Sequence, residues 1–145
     1  MTERTGGVDA RPVPAPDEVS AFYWEGAGRG ELLVQRCRAC QTLQFPPEVA
    51  CTTCQSLDLQ PEAMSGDAEL WSYSVVERPF HAGFVDVVPY VVGLVELREQ
   101  PGLRILTNVV EAEIDDLEVG MALEVTYERR GDVTLPQFRP AEATR

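Results

Sequence analysis

The chain contains no lysine, so all 12 of its Lys-or-Arg cations are arginine. It has a single histidine, His81, and only four cysteines. The absence of lysine reflects compositional bias and points to no mechanism. One histidine, with no G-x-S-x-G turn to present a serine, leaves no readable Ser–His–Asp constellation. No apolar run approaches the roughly 20 residues that a membrane-crossing helix needs. The opening "MTERTGGVDARPVPAP" lacks the apolar stretch of a secretory signal, and a cytoplasmic location is the expectation. Positive charge is also scarce. A formal net charge of −12 opposes nucleic-acid binding, which depends on cations displacing counterions from phosphates, and the arginines show no clear clustering.

What is present divides into unequal parts. Residues 1–15 are rich in Gly, Pro and charge and read as a disordered leader. From residue 16 to 66 an N-terminal helix and a small cysteine module are expected. Asp17 is placed to cap the helix, Val19, Phe22 and Tyr23 share one face with Trp24 widening it, and the glycines at 26, 28 and 30 end it. "ELLVQRC" reads as a short strand, and residues 55–67 read as a polar connection. From 67 to 140 the pattern is all-β. "AELWSYSVVE" alternates, with Trp71, Tyr73 and Val75 on one face and Leu70 and Val76 on the other. "YVVGLVELR" carries Gly93, which suggests a bulge. "LRILTNVV", "ALEVTYERR" and "VTLPQF" complete a set of five short strands with a long loop after the first, the signature of a five-stranded Greek-key barrel of the OB type. Residues 141–145 form a tail. The acidic set Glu111, Glu113, Asp115, Asp116 and Glu118 reads as a solvated turn.

All the cysteines fall in "CRACQTLQFPPEVACTTC", residues 37–54. Two Cys-x-x-Cys turns, each presenting two thiolates at bite distance, complete a tetrahedral shell from Cys37, Cys40, Cys51 and Cys54. The ten-residue connector is short and is stiffened by Pro46–Pro47. Two disulfides are the first alternative, disfavoured because cytosolic thiols stay reduced. A thioredoxin-like redox pair is the second, but neither motif opens a helix within an α/β pattern. Four thiolates close the shell, so the expected ion is one structural Zn2+ per chain with no position open for water. Metal binding is then also folding free energy for a module too small to bury its own core. Because the metal uses every cysteine, no thiol remains for acyl transfer.

The run of "FYWEG", "LLVQRCRACQTLQFPPEVACTTC", "GDAELWSYSVV", "PYVVGLVEL" and "LEVGMALEVTY" resembles the zinc-ribbon plus OB-fold family known as domain of unknown function thirty-five. The resemblance covers about residues 18–140. It implies a mainly β fold: an N-terminal helix, a rubredoxin-like zinc ribbon and a five-stranded OB barrel. It also implies a non-catalytic accessory subunit of a thiolase-superfamily enzyme, a thiolase or a thiolase-like aldolase acting on acyl-CoA in lipid or aromatic-compound metabolism. Such a subunit stabilises its partner and borders the acyl-CoA channel. Only the four cysteines carry over residue by residue. The loop bearing Arg78, Phe80, His81, Phe84 and Tyr90 is the candidate for contact with partner or acyl-CoA, Arg78 being suited to a CoA phosphate. Phe22, Tyr23 and Trp24 are candidate partner anchors, though packing on the chain's own ribbon explains them as well. A stand-alone OB module for single-stranded nucleic acid or for acyl-CoA remains the alternative.

Overall fold

The computed structural model describes residues 10–141. A turn at 17–20 precedes α1, Ala21–Gly28, the one α-helix among the described residues. Asp17 does not cap that helix directly. Its Oδ1 accepts from the Ser20 amide at 2.8 Å and the Ser20 hydroxyl at 2.9 Å, which closes the turn and delays the helix to Ala21. The glycine run then ends it as expected.

Three strands form the ribbon sheet: β1 (Leu32–Cys37), β2 (Leu43–Gln44) and β3 (Leu59–Met64), in the order β2-β1-β3. β3 corrects the expectation of a polar connection over 55–67. It runs antiparallel to the whole of β1, from Leu32↔Met64 to Cys37↔Leu59. Its polar residues and Pro61 masked it, and both are tolerated because β3 is an edge strand, where a missing N–H costs no ladder bond.

The remaining strands are β4 (Asp67–Val76), β5 (Tyr90–Leu97), β6 (Arg104–Val109), β7 (Ala122–Arg130) and β8 (Val133–Pro140). They close a barrel in the order β4-β5-β6-β8-β7, the architecture expected of an OB fold. β5 shows why the barrel has an inside. Val91, Gly93, Val95 and Leu97 are buried in strict alternation. The bulge expected at Gly93 lies across from it instead, on β4 between Leu70 and Ser72. That extra residue switches the parity of β4. Leu70 pairs with Val95, Tyr73 with Gly93 and Val75 with Val91, so Leu70, Tyr73 and Val75 share a face that simple alternation would split. Trp71 is turned outward, 48% exposed, with the Arg104 guanidinium stacked 3.8 Å from its ring centroid. Gly93 has a different reason to be glycine: a Cβ there would lie 2.7 Å from Cγ2 of the buried Val109.

Ribbon and barrel share one core. Tyr23, Leu32, Val34, Leu43 and Met64 belong to the same buried cluster as Leu70, Ile105, Leu123 and Phe138. A polar clasp reinforces the junction. Gln100, in the β5–β6 turn, donates from Nε2 to the Leu43 carbonyl at 2.8 Å and accepts at Oε1 from the Leu43 amide at 2.9 Å. Its carboxamide thus pairs with the edge of β2 as a neighbouring strand would. Glu99 in the same turn accepts from the Ser65 amide. Of the expected 1–15 leader, residues 1–9 lie outside the described residues, while Arg11 reaches the barrel and ion-pairs with Glu128 at 3.1 Å. Of the 141–145 tail, Ala141 donates to the Ala122 carbonyl and the other four residues lie outside the description.

Gln100→Ala should strand both backbone groups of the buried Leu43 and lower stability by about 1–3 kcal/mol. Denaturant unfolding of the metal-loaded protein checks this, and an unchanged midpoint would show that the clasp contributes nothing.

Candidate metal centre

The two cysteine turns are built alike. In each, the residue after the second cysteine donates back to the carbonyl of the first: Gln41 to Cys37 at 2.7 Å and Gln55 to Cys51 at 2.9 Å. The first cysteine then donates to the residue after that glutamine, Cys37 to Thr42 and Cys51 to Ser56. Gln41 and Gln55 both adopt left-handed backbone, with φ of 68° and 65°. This conformation is uncommon for a residue with a Cβ and turns the chain sharply around the sulfurs. The signal for the equivalence is in the sequence, as Cys-x-x-Cys-Gln followed by Thr or Ser, stated twice.

Such turns aim backbone N–H groups at sulfur. Cys37 Sγ accepts from the Cys40 amide at 3.4 Å, and Cys51 Sγ accepts from the amides of Thr53 at 3.3 Å and Cys54 at 3.4 Å. The Cys40 amide, followed by that of Ala39, holds the Cys37 thiol below its ordinary value. The Cys54 amide, aided by that of Thr53, brings Cys51 down to about 6. Cys54 moves the other way. The Ser56 amide pulls it down, but the three neighbouring sulfurs together with desolvation outweigh that and push it up to about 12. Four sulfurs this close cannot all ionise without a cation among them.

The sulfurs fit a tetrahedral metal. All four lie within 4.8 Å of one another, with Cys37–Cys54 at 3.6 Å and Cys40–Cys51 at 3.7 Å. A regular tetrahedron with Zn–S bonds of about 2.3 Å has edges of about 3.8 Å. Cys37 and Cys51 are buried, and Cys54 is exposed. A shell of four thiolates leaves no position for water or substrate, so its chemistry would be confined to holding the fold.

The residues that shape the connector were not singled out from the sequence. Gln35 and Gln44, both 7% exposed, stand beneath it. Gln35 donates to the Glu48 carbonyl and accepts from the Glu48 amide, each at 2.9 Å. Gln44 donates to Gln35 and to the Ala50 carbonyl and accepts from the Thr52 amide. Two carboxamides therefore satisfy a loop that has no ladder of its own. Glutamines within an apolar strand are the only trace of this in the sequence.

The other candidate residues separate into two groups. In the loop after β4, a 3-10 turn at Ala82–Phe84 is capped by His81, whose Nδ1 accepts from the Gly83 amide at 2.9 Å. His81, Phe84 and Tyr90 form a chain of ring contacts, with Phe84 and Tyr90 centroids 5.3 Å apart. Arg78 and Phe80 are exposed, Phe80 by 85%. On α1, Tyr23 is 5% exposed, stacked edge-on to Trp24 and tilted against Phe45. Burial pushes its hydroxyl pKa above the usual tyrosine range. Tyr23 therefore serves the chain's own core, which leaves Phe22 and Trp24, both half-buried against that core, as the part of the trio that reaches the surface. The acidic turn holds a 3-10 turn at Ile114–Asp116 and no convergent carboxylates beyond the Glu111–Arg139 ion pair.

Fold and site together define a protein with a four-cysteine ribbon packed on an OB barrel. Two family models match in succession: the ChsH2 rubredoxin-like zinc ribbon domain over residues 24–60 and the ChsH2 C-terminal OB-fold domain over residues 61–128. A DUF35 domain-containing scaffold protein of Methanothermobacter thermautotrophicus is 32% identical over 102 residues, covering 70% of this chain and 74% of that protein. The chain belongs to the DUF35 family, of the ChsH2 type. A probable enoyl-CoA hydratase alpha subunit of Thermomonospora curvata is 42% identical over 132 residues, 90% of this chain and 40% of that protein. The 3-oxo-4,17-pregnadiene-20-carboxyl-CoA hydratase alpha subunit of Mycobacterium tuberculosis is 32% identical and matches 92% of this chain and 42% of its own length. The chain thus spans about two fifths of these hydratase subunits. Among solved structures, the Ltp2-ChsH2(DUF35) aldolase contains a chain that superposes with a TM-score of 0.80 at 40% identity, covering 90% of this chain and all of that one.

Because thiolates bind metal only after losing their protons, acid should strip the site: as pH falls the cysteines protonate and the ion leaves. Zinc content measured across a descending pH series should drop cooperatively, and amide exchange should then open residues 32–64 before the barrel strands. Cys51→Ser should shift that loss to higher pH. Retention of metal by a variant lacking both Cys40 and Cys51 would contradict the four-sulfur shell.

Proposed function

We propose that the chain is a non-catalytic accessory subunit of a thiolase-superfamily enzyme acting on acyl-CoA. In this reading it docks on the thiolase-like subunit, stabilises it and borders its acyl-CoA channel. One Zn2+ per chain, held by Cys37, Cys40, Cys51 and Cys54, has a structural role.

The observation that carries this reading is the full-length likeness to the ChsH2(DUF35) component of an aldolase, at 40% identity over all of that chain. The residues support it in two ways. The cysteines are committed to a closed cluster, so the chain has no spare thiol nucleophile. Its one histidine spends Nδ1 on capping its own loop, and among the described residues no serine, cysteine or carboxylate pairs with it. Chemistry on an acyl thioester is then the work of another subunit. Exposed Phe80 and Val85 on the long loop, together with the half-buried Trp24 and Phe22, suit the apolar centre of a protein interface.

Co-expression with a thiolase-like protein encoded nearby should give a complex that survives gel filtration at micromolar concentration. Phe80→Ala should weaken that complex by about 1–2 kcal/mol without changing the chain's own unfolding midpoint, because the side chain is almost fully exposed. Separate elution of the two wild-type proteins would overturn the accessory-subunit reading.

A further inference from the structure

Beneath the long loop lies a cavity of about 320 Å3, walled by Phe84 and Tyr90 on one side and by Asn108, Gln137 and Arg130 on the other. Its lining comes from β5, β6, β7 and β8 as well as the loop, close to where β6 meets β8 through the parallel pair Val109↔Phe138. Gln137 is 5% exposed and lines this cavity, where its carboxamide stays accessible: among the described residues no fully buried side-chain N or O lacks a hydrogen-bond partner. Such an amide group carries two donors and two acceptor lone pairs, which a ligand entering the cavity can take over from water. Asn108 donates from Nδ2 to the Val91 carbonyl at 2.9 Å, which fixes its orientation and keeps Oδ1 available as an acceptor.

The charges around the cavity are already engaged. Arg130, 7% exposed, holds Glu128 through Nε and Nη2, and Arg11 binds the same carboxylate. An ionic ligand would have to break these pairs, and the chain's net charge of −12 repels an anion besides. What remains on offer is neutral: an amide donor, amide acceptors and an aromatic wall. The chain already shows what such a group binds. Gln100 clasps the Leu43 peptide unit by donating to its carbonyl and accepting from its amide.

The loop over the cavity is also pinned against the 10–11 segment. Gly83 lies so close to the Ala10 carbonyl that a Cβ would approach it to 2.4 Å, so the segment at 10–11 straps the loop in place. A preformed site loses less on binding than one that must order itself.

We propose that this cavity binds an uncharged secondary amide carried on an extended chain, with Gln137 supplying the paired hydrogen bonds and Phe84 and Tyr90 the apolar wall. Two sources have that chemistry: a peptide segment and the diamide arm of a pantetheine thiol. This deepens the assignment of the long loop to partner or acyl-CoA contact, and it rests on that reading only for the choice between the sources.

The full zinc-loaded chain is titrated with two probes, N-acetyl-alanyl-alanine methylamide and pantetheine, while the side-chain amide signals of Gln137 are followed by NMR. At least one probe should shift them saturably. Gln137→Met, which preserves length and removes the polar atoms, should weaken that binding about tenfold. A response to the peptide alone assigns a peptide segment, and a response to pantetheine alone assigns the thiol arm. Unmoved Gln137 signals with both probes, or equal affinity in a folded Gln137→Met, overturns the site. Should the variant not fold, the wild-type signals still decide. Failure here leaves co-elution with a thiolase-like protein untouched, so the two ideas fail separately.

Discussion

Four sulfurs within 4.8 Å of one another are the constraint from which the N-terminal half follows. Thiols at that distance resist joint ionisation, and the high pKa of Cys54 expresses the resistance. A dication at their centre reverses it by making four thiolates the favoured state. The rest of the ribbon is arranged to hold the sulfurs where this works. Two matching turns aim amides at Cys37 and Cys51, and Gln41 and Gln55 take up the left-handed backbone that those turns require. Without that centre, the connector between the cysteine pairs would lose its anchor, leaving β2 and β3 to their pairing with β1 and the core.

The ribbon is nevertheless no independent bead on the barrel. Leu32, Val34, Leu43 and Met64 are buried in the barrel's own cluster, and α1 packs across both β1 and β8. Glutamine side chains recur wherever backbone partners run out. Gln35 and Gln44 satisfy the connector between the cysteine pairs, and Gln100 completes the edge of β2. Each replaces a missing strand with a carboxamide, which carries the same donor and acceptor as a peptide. The cysteine turns, connector, β2 and β5–β6 turn are thereby linked in one hydrogen-bonded series that ties ribbon to barrel.

Much of this was legible from residue order. The cysteine quartet, the five barrel strands and the glycine-ended helix each leave a local pattern: a ligand spacing, an alternation or a breaker. The misreadings have physical causes. β3 reads as a connection in the sequence because an edge strand needs no apolar alternation and tolerates Pro61. The bulge was sought at Gly93, yet it sits at Trp71, and nothing about a tryptophan marks an extra residue. Asp17 looked like a helix cap but closes the turn before the helix. For Tyr23 the sequence leaves partner anchor and own-ribbon packing both open, and the choice depends on Phe45, in a connector more than twenty residues away.

By itself, then, the sequence determined the chemistry of the ribbon, because both Cys-x-x-Cys turns are local and thiolates have few other stable uses when grouped in fours. It determined the barrel class as well, since five alternating segments have few ways to close. Tertiary structure alone decided which face of β4 looks inward, which aromatics stay outside and which carboxamides line the cavity under the long loop. Those outcomes rest on contacts such as Gln100 with Leu43, 57 residues apart, and Arg11 with Glu128, 117 residues apart. No short window of sequence contains both ends of such an interaction, so its energy is counted only once the chain has folded.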